Sequence, residues 1–200
     1  FVFPNKKDSW SIRWFTPKSE VDLCGHATMA AAHVLFEEGL ATQGAEITFS
    51  SNSGKLQVSH DEKKRLTMNF PLLKARNSHV SPALVEGLGA YPDEVYVGTN
   101  CLCVFGEEET VRSLAPDFKM LSGLNSFIGV IATAKTSSIG YHFVSRYFAP
   151  SVGIDEDHAT GSAHCLLAPY WGNKLNKNKL VGFQASSRGA EIRCEVKGDR

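Results

Sequence analysis

The sequence predicts an α+β protein of two duplicated, pseudo-symmetric domains, each a curled and mostly antiparallel sheet around a central helix. Two observations lead there. RWFTPKSEVDLCGHAT, residues 13–28, is echoed by RYFAPSVGIDEDHATGSAHC, residues 146–165. Both run Arg-aromatic-Phe-x-Pro, then an acidic loop, then a glycine opening an Ala-rich segment. The elements around the two stretches also follow one order, which a chance five-residue match would not produce, so the chain reads as a duplicated unit.

In the first copy, Ser11 to Phe15 is a strand, Pro17 lies in the next loop, and a helix runs from about Gly25 to Glu38. Gly39 is a suitable stop for it. EITFSS, GKLQVSH and RLTMNF are short, β-branched or alternating, and bounded by turn residues, as strands are. In the second copy YHFVSRYF is a strand, Pro150 opens a loop, and a helix runs from about Gly161 to Leu175. Pro169 inside that helix is expected to kink it. LVGFQASS and AEIRCEV form paired strands, and the turn FSSNSG corresponds to FQASSRG.

Ahead of RYFAP come a helix near Ala83 to Leu88, strands near Val95 and at Cys101 to Phe105, a helix near Glu107 to Leu114, and the strand FIGVIAT. Only twelve residues precede RWFTP, and RLTMNF finds no equivalent before Arg200. Equal repeats would place roughly forty further residues ahead of Phe1 and one more strand after Arg200. The segment PLLKARNSHVSP loses periodicity, so the domains are expected at 1–75 and 76–200.

Two hundred residues bury about 70% of their unfolded surface, enough for a real core. Lysine plus arginine (21) equals aspartate plus glutamate (21), so generic nucleic-acid binding has little support. No apolar run is long enough to span a bilayer as a helix. The five cysteines show no CxxC pair and no ligand spacing with histidine, which points to reduced thiols in a cytosolic protein, without a disulfide framework or a metal site. Cys101 and Cys103 lie two apart in a strand and are expected to be buried on one face.

Polar residues gather where a loop becomes a helix in each copy, in DLCGHAT and in DEDHATGSAH. Gly25 and Gly161 let the backbone approach a ligand, and free N–H groups with a positive helix end behind them favour a carboxylate or phosphate. The expected partner is therefore a small anionic metabolite held in a cleft between the domains. His26 follows Gly25 and can donate to a ligand or shuttle a proton; the alternative is an ordinary hydrogen-bonded histidine at a helix start. Asp157 can accept from a substrate amine or hydroxyl or take part in proton transfer; the alternative is a loop acid capping the next turn. Ser162 can contact an anion through its hydroxyl and N–H, or serve as the helix N-cap. No GxSxG surrounds it, so it is not read as a hydrolase nucleophile. Cys24 precedes Gly25 as Thr160 precedes Gly161, and a thiol at a helix head can act as base or nucleophile; the alternative is a packing thiol. His164 and Cys165 are expected to pack on the second helix, and Arg13 and Arg146 to form ion pairs or point outward.

FTPKSEVDLCGHATMAAAHVL and RYFAPSVGIDEDHATGSAHCLLAPYW resemble the two signature segments of the phenazine-biosynthesis PhzF-like proteins. The resemblance covers nearly the whole chain. It implies a diaminopimelate-epimerase-like fold and a cofactor-independent, usually dimeric isomerase that moves a proton on a small carboxylate. It also implies that His26, Asp157 and Ser162 match cleft residues, with Gly25 and Gly161 supplying N–H groups. The family's principal acid/base glutamate would fall ahead of Phe1, so residues 1–200 alone are expected to be inactive or nearly so. Two rival readings are a thiol-dependent racemase or dehydratase using Cys24, and a non-catalytic member that binds a metabolite or protein.

Overall fold

A computed structural model describes residues 1–6, 8–16, 18–61 and 65–200, which divide into two compact units, Phe1–Pro71 with Arg200, and Leu72–Asp199. Pro17, expected in the first loop, lies outside the described residues.

The first unit runs β1 (Val2–Lys6), β2 (Ser9–Ile12), β3 (Trp14–Phe15), β4 (Glu20–Val21), α1 (Gly25–Glu37), β5 (Ile47–Ser51), β6 (Gly54–His60) and β7 (Leu66–Asn69). Its main sheet has the order β1-β2-β5-β6-β7, antiparallel except where β2 meets β5 across the α1 crossover. Thr28, Ala32, Leu35 and Phe36 recur at helical spacing and form the buried side of α1. Ala32, Leu35 and Phe36 join a core with Ile12, Ile47, Phe49, Leu56 and Val58. Gly39 follows the helix with φ of 65°, a left-handed stop.

The second unit runs β8 (Ala75–Ser78), α2 (Pro82–Leu88), β9 (Glu94–Gly98), β10 (Cys101–Phe105), α3 (Glu108–Ser113), α4 (Phe118–Ser122), β11 (Val130–Lys135), β12 (Phe143–Phe148), a 3-10 turn at Pro150–Val152, α5 (Gly161–Leu175), β13 (Lys179–Gln184) and β14 (Ala190–Glu195). The sheet order is β14-β13-β12-β11-β10-β9-β8. Its portion β11-β12-β13-β14, with α5 between the parallel strands β12 and β13, has the order and directions of β1-β2-β5-β6. The duplicated diaminopimelate-epimerase-like architecture is thus visible in the connectivity.

The units differ in burial. In β10, Leu102 and Val104 pack in the core that includes Leu167 and Trp171 of α5. Cys101, Cys103 and Phe105 of the same strand face a second core that includes Leu84 of α2, Val111 of α3 and Leu121 of α4. A strand covered on both sides reads as a continuous apolar run, which CLCVF is. Cys101 and Cys103 are buried with their sulfurs 3.7 Å apart, so their packing role holds.

α5 continues through Pro169. Proline cannot donate to the carbonyl four residues earlier; that oxygen, on Cys165, accepts from the Leu73 N–H at 3.1 Å. Ahead of β8, the segment expected to be aperiodic is thereby anchored to the helix. β8 itself is a departure from that expectation. ARNS has no apolar alternation, and it is a strand because it pairs with β9 at the sheet edge. β1 escapes sequence reading for a related reason: VFPNK carries Pro4, tolerated because β1 is an edge strand with β2 as its partner. The one-turn helix α4 is capped by Asp117, whose carboxylate accepts from the Met120 N–H at 3.0 Å.

Candidate active site

The loop ahead of α1 is shaped by the β3–β4 pairing and by Arg13, which donates to both oxygens of Glu20 at 2.8 and 2.7 Å. Arg13 is therefore an ion-pair residue of the loop. The helix then begins after Cys24, whose backbone is extended (φ −141°) and whose side chain caps nothing. The first helical bond runs from the Thr28 N–H to the Cys24 carbonyl at 3.1 Å, and the Thr28 hydroxyl donates to the same oxygen at 2.7 Å. The N–H groups of Gly25, His26 and Ala27 precede that bond and have no acceptor within the helix. Gly25 is buried and His26 exposed. The Cys24 sulfur lies 3.6 Å from His26 Nε2 and 3.9 Å from Nδ1.

The head of α5 repeats this backbone with other side chains. The N-cap is Thr160, extended at φ −114°, and its side chain makes no cap bond to the helix. Ser162, read as a possible N-cap, is instead the second helical residue, at the position His26 holds in α1. Gly161 corresponds likewise to Gly25. The Thr160 carbonyl meets Nδ1 of His164 at 2.8 Å, as the Cys24 carbonyl meets Thr28. His164 is 4% exposed, and burial pushes its imidazole pKa down to about 4, so at neutral pH the ring is uncharged and donates from Nδ1.

The loop into α5 is built by the 3-10 turn, by Gly153 in the left-handed region (φ 86°), and by paired Ala149 and Ile154. Arg146 pins it from the sheet, donating to both oxygens of Glu156 at 2.7 and 2.9 Å and to the carbonyls of Val111, Arg112 and Leu114. Asp157 follows. Its N–H donates to the Tyr147 carbonyl at 3.0 Å, and its Oδ2 accepts the Thr160 hydroxyl at 2.6 Å. Burial raises the Tyr147 phenol pKa, with the nearby Asp157 charge adding to the rise.

One residue of this site, Gln184, carries no assignment from the sequence, and a second, His164, does more than pack. Gln184 is 1% exposed and binds both Asp157 and Thr160. Its signal is a carboxamide in the apolar strand LVGFQ at the parity of buried Leu180 and Gly182. His164 was read as packing, but its ring also holds the N-cap carbonyl. The turn match FSSNSG to FQASSRG is one residue out of step. With Arg13 set on Arg146, Trp10 pairs with Phe49 where Phe143 pairs with Gly182, so Ser51 stands at the place of Gln184.

Among the described residues no three His, Cys, Asp or Glu side chains form a metal-holding cluster, and no helix is long and apolar enough to cross a membrane. The cysteines are free thiols.

The whole chain, residues 1–200, matches the family described as phenazine biosynthesis-like protein. The chain belongs to the phenazine biosynthesis-like family. It is 46% identical over 194 residues to an uncharacterized isomerase of Pseudomonas aeruginosa, covering 96% of this chain and 72% of that protein. A PhzF-family protein of Enterococcus faecalis, solved by crystallography, superposes with a TM-score of 0.88 at 40% identity, over 98% of this chain and 74% of that one. A hydroxyproline epimerase of Agrobacterium vitis with bound trans-4-hydroxy-L-proline has a TM-score of 0.69 at 10% identity, over 98% of this chain and 66% of that one, which extends the shared fold to epimerases. PhzF-like membership and the epimerase-like fold therefore stand on both sequence and structure.

Proposed function

We propose that this PhzF-like protein is a cofactor-independent isomerase that moves a proton on a small carboxylate-bearing metabolite, held by Gly25, Gly161 and Ser162 and handled by His26 and Asp157. The relatives' isomerase names support the reaction class. One observation carries the binding assignment: α1 and α5 both begin with a glycine after N-caps, Cys24 and Thr160, whose side chains make no cap hydrogen bond to the helix. The first N–H groups of such a helix, with about half a positive charge behind them, suit a carboxylate and the charge that develops as a neighbouring C–H loses its proton. In this reading Asp157 accepts from the substrate's amine or hydroxyl, and His26 donates to it or relays the proton. The protein is read as a cytosolic homodimer; sedimentation of the purified protein checks the dimer, and fractionation of the cells that make it checks the location.

The test is proton exchange. The full-length protein is incubated in D2O with a panel of small hydroxy-, amino- and unsaturated carboxylates, and loss of carbon-bound protons is followed by NMR. At least one compound should exchange, and His26→Asn and Asp157→Asn should each slow it by about 100-fold or more. A panel in which no acid exchanges or raises the melting temperature removes the proposal.

A second reading uses Cys24 as the base, favoured by its sulfur lying 3.6 Å from an imidazole nitrogen. The equivalent residue in the other copy is Thr160, whose hydroxyl already donates to Asp157. Loss of exchange on thiol alkylation that Cys24→Ser reproduces would support the thiol reading.

A further inference from the structure

We infer that Gln184 is a positioning residue that, through Thr160, fixes Asp157 as a hydrogen-bond acceptor with one oxygen reserved for the substrate. The inference rests on the role given to Asp157 above and extends it to residues outside that assignment.

The argument follows the hydrogens. A backbone N–H can only donate, and that of Thr160 lies 2.8 Å from one terminal atom of the Gln184 side chain, which must be the oxygen. The other terminal atom is then the nitrogen, a donor only. It lies 2.7 Å from the Asp157 carbonyl and 3.1 Å from the Thr160 hydroxyl oxygen, and both must accept from it. Thr160 has one hydroxyl proton. With its oxygen already accepting from Gln184, that proton goes to Asp157 Oδ2 at 2.6 Å. Every polarity in the chain Gln184 to Thr160 to Asp157 is thus set by one peptide N–H.

Two consequences follow. Oδ2 receives a hydrogen bond in the resting protein, so the carboxylate enters the reaction as an acceptor. Oδ1, which meets no donor among the described residues, is left to take a substrate N–H or O–H. The preferred substrate accordingly carries a hydroxyl or amino group besides its carboxylate. The network is also rigid. Gln184 and Thr160 are 1% and 5% exposed, and Asp157 is tied through its N–H to β12 and through its carbonyl to β13. Hydrogen bonds between buried groups hold the Gln184 and Thr160 side chains in one geometry, and with them Oδ2 of Asp157.

The experiment reads the Asp157 carboxyl directly, without ligand, by its 13Cγ resonance in the full-length protein. Thr160→Val keeps the side-chain shape and removes the hydroxyl; Thr160→Ser restores it. Gln184→Glu keeps the shape and, when ionised, removes the donor. The 13Cγ resonance should be displaced in Thr160→Val and Gln184→Glu and return to the wild-type position in Thr160→Ser. With an exchanging acid from the panel above, the two disruptive variants should turn over about 100-fold more slowly, and Thr160→Ser should recover. An unmoved resonance in folded Thr160→Val or Gln184→Glu overturns the inference. If either variant fails to fold, the other decides. If the wild type exchanges no acid, the proposed function fails, and the carboxyl resonance still settles the relay.

Discussion

At the head of α1 the N-cap carbonyl, on Cys24, accepts from the hydroxyl of Thr28; at the head of α5 the N-cap carbonyl, on Thr160, meets the imidazole of His164. The backbone solution is the same, and the side chains around it diverge. Behind α1 the equivalent of Gln184 is Ser51, whose hydroxyl closes the β5–β6 turn onto the Gly54 carbonyl at 2.8 Å. Behind α5 a buried carboxamide reaches across to the loop and orders Asp157. The first head presents a thiol and an exposed imidazole at a helix start without a side-chain cap; the second ties a carboxylate to Thr160 and, through it, to Gln184. The two copies share one backbone arrangement at these helix heads and differ in the side chains around it.

The largest expected effect separates the two repeat arginines. Arg146→Ala leaves Glu156, which retains 21% side-chain exposure, without its partner and strips three carbonyls of a donor. It should cost about 3–5 kcal/mol by urea denaturation; a loss no larger than that of a surface substitution would erase the distinction between the copies.

Next is acid stability. An unfolded histidine takes up a proton near pH 6.5, whereas the buried His164 takes it up only near 4. Stability should therefore fall as pH drops below about 6.5 and stop falling from this source below about 4, by up to ~3 kcal/mol. His164→Gln should lack that component, and wild-type and variant pH profiles that run parallel would contradict it. Thr28 does the same work in α1 and cannot titrate, so Thr28→Ala should leave the slope unchanged.

A smaller effect tests the head of α1. Cys24→Asp supplies the side-chain cap that Cys24 does not make, which should stabilise the helix by about 1 kcal/mol and compete with an anionic ligand. A variant that is both no more stable and equally able to bind an exchanging acid would show the first N–H groups of α1 to be already occupied. The smallest is Arg13→Ala. This arginine is 54% exposed in its pair with Glu20, and its removal should not move the denaturation midpoint measurably.

Much of this was legible in the sequence because it is local. Helix periodicity, Gly39 after α1, and the glycines at the two helix starts follow from neighbouring residues and backbone sterics, so α1 and α5 were placed within a residue or so of their observed bounds. The repeated arginines announced their loops because each serves an acid a few residues on. β8 and β1 were not legible: edge strands owe their form to a partner's hydrogen bonds, and their sequences hold no alternation to read.

The sequence alone determined the duplication, the two helices α1 and α5, and which glycines, histidine and aspartate stand at their heads, since these follow from patterns along the chain. Tertiary structure alone decided that Gln184 would reach back 24 residues to Thr160, that Ser51 rather than Ser50 would stand in its place in the other copy, and that Leu73 would satisfy the carbonyl freed by Pro169. These depend on strand register and on where a distant buried group finds its partner. Hydrogen-bond satisfaction inside a core is enforced across space, and no pattern along the chain encodes it.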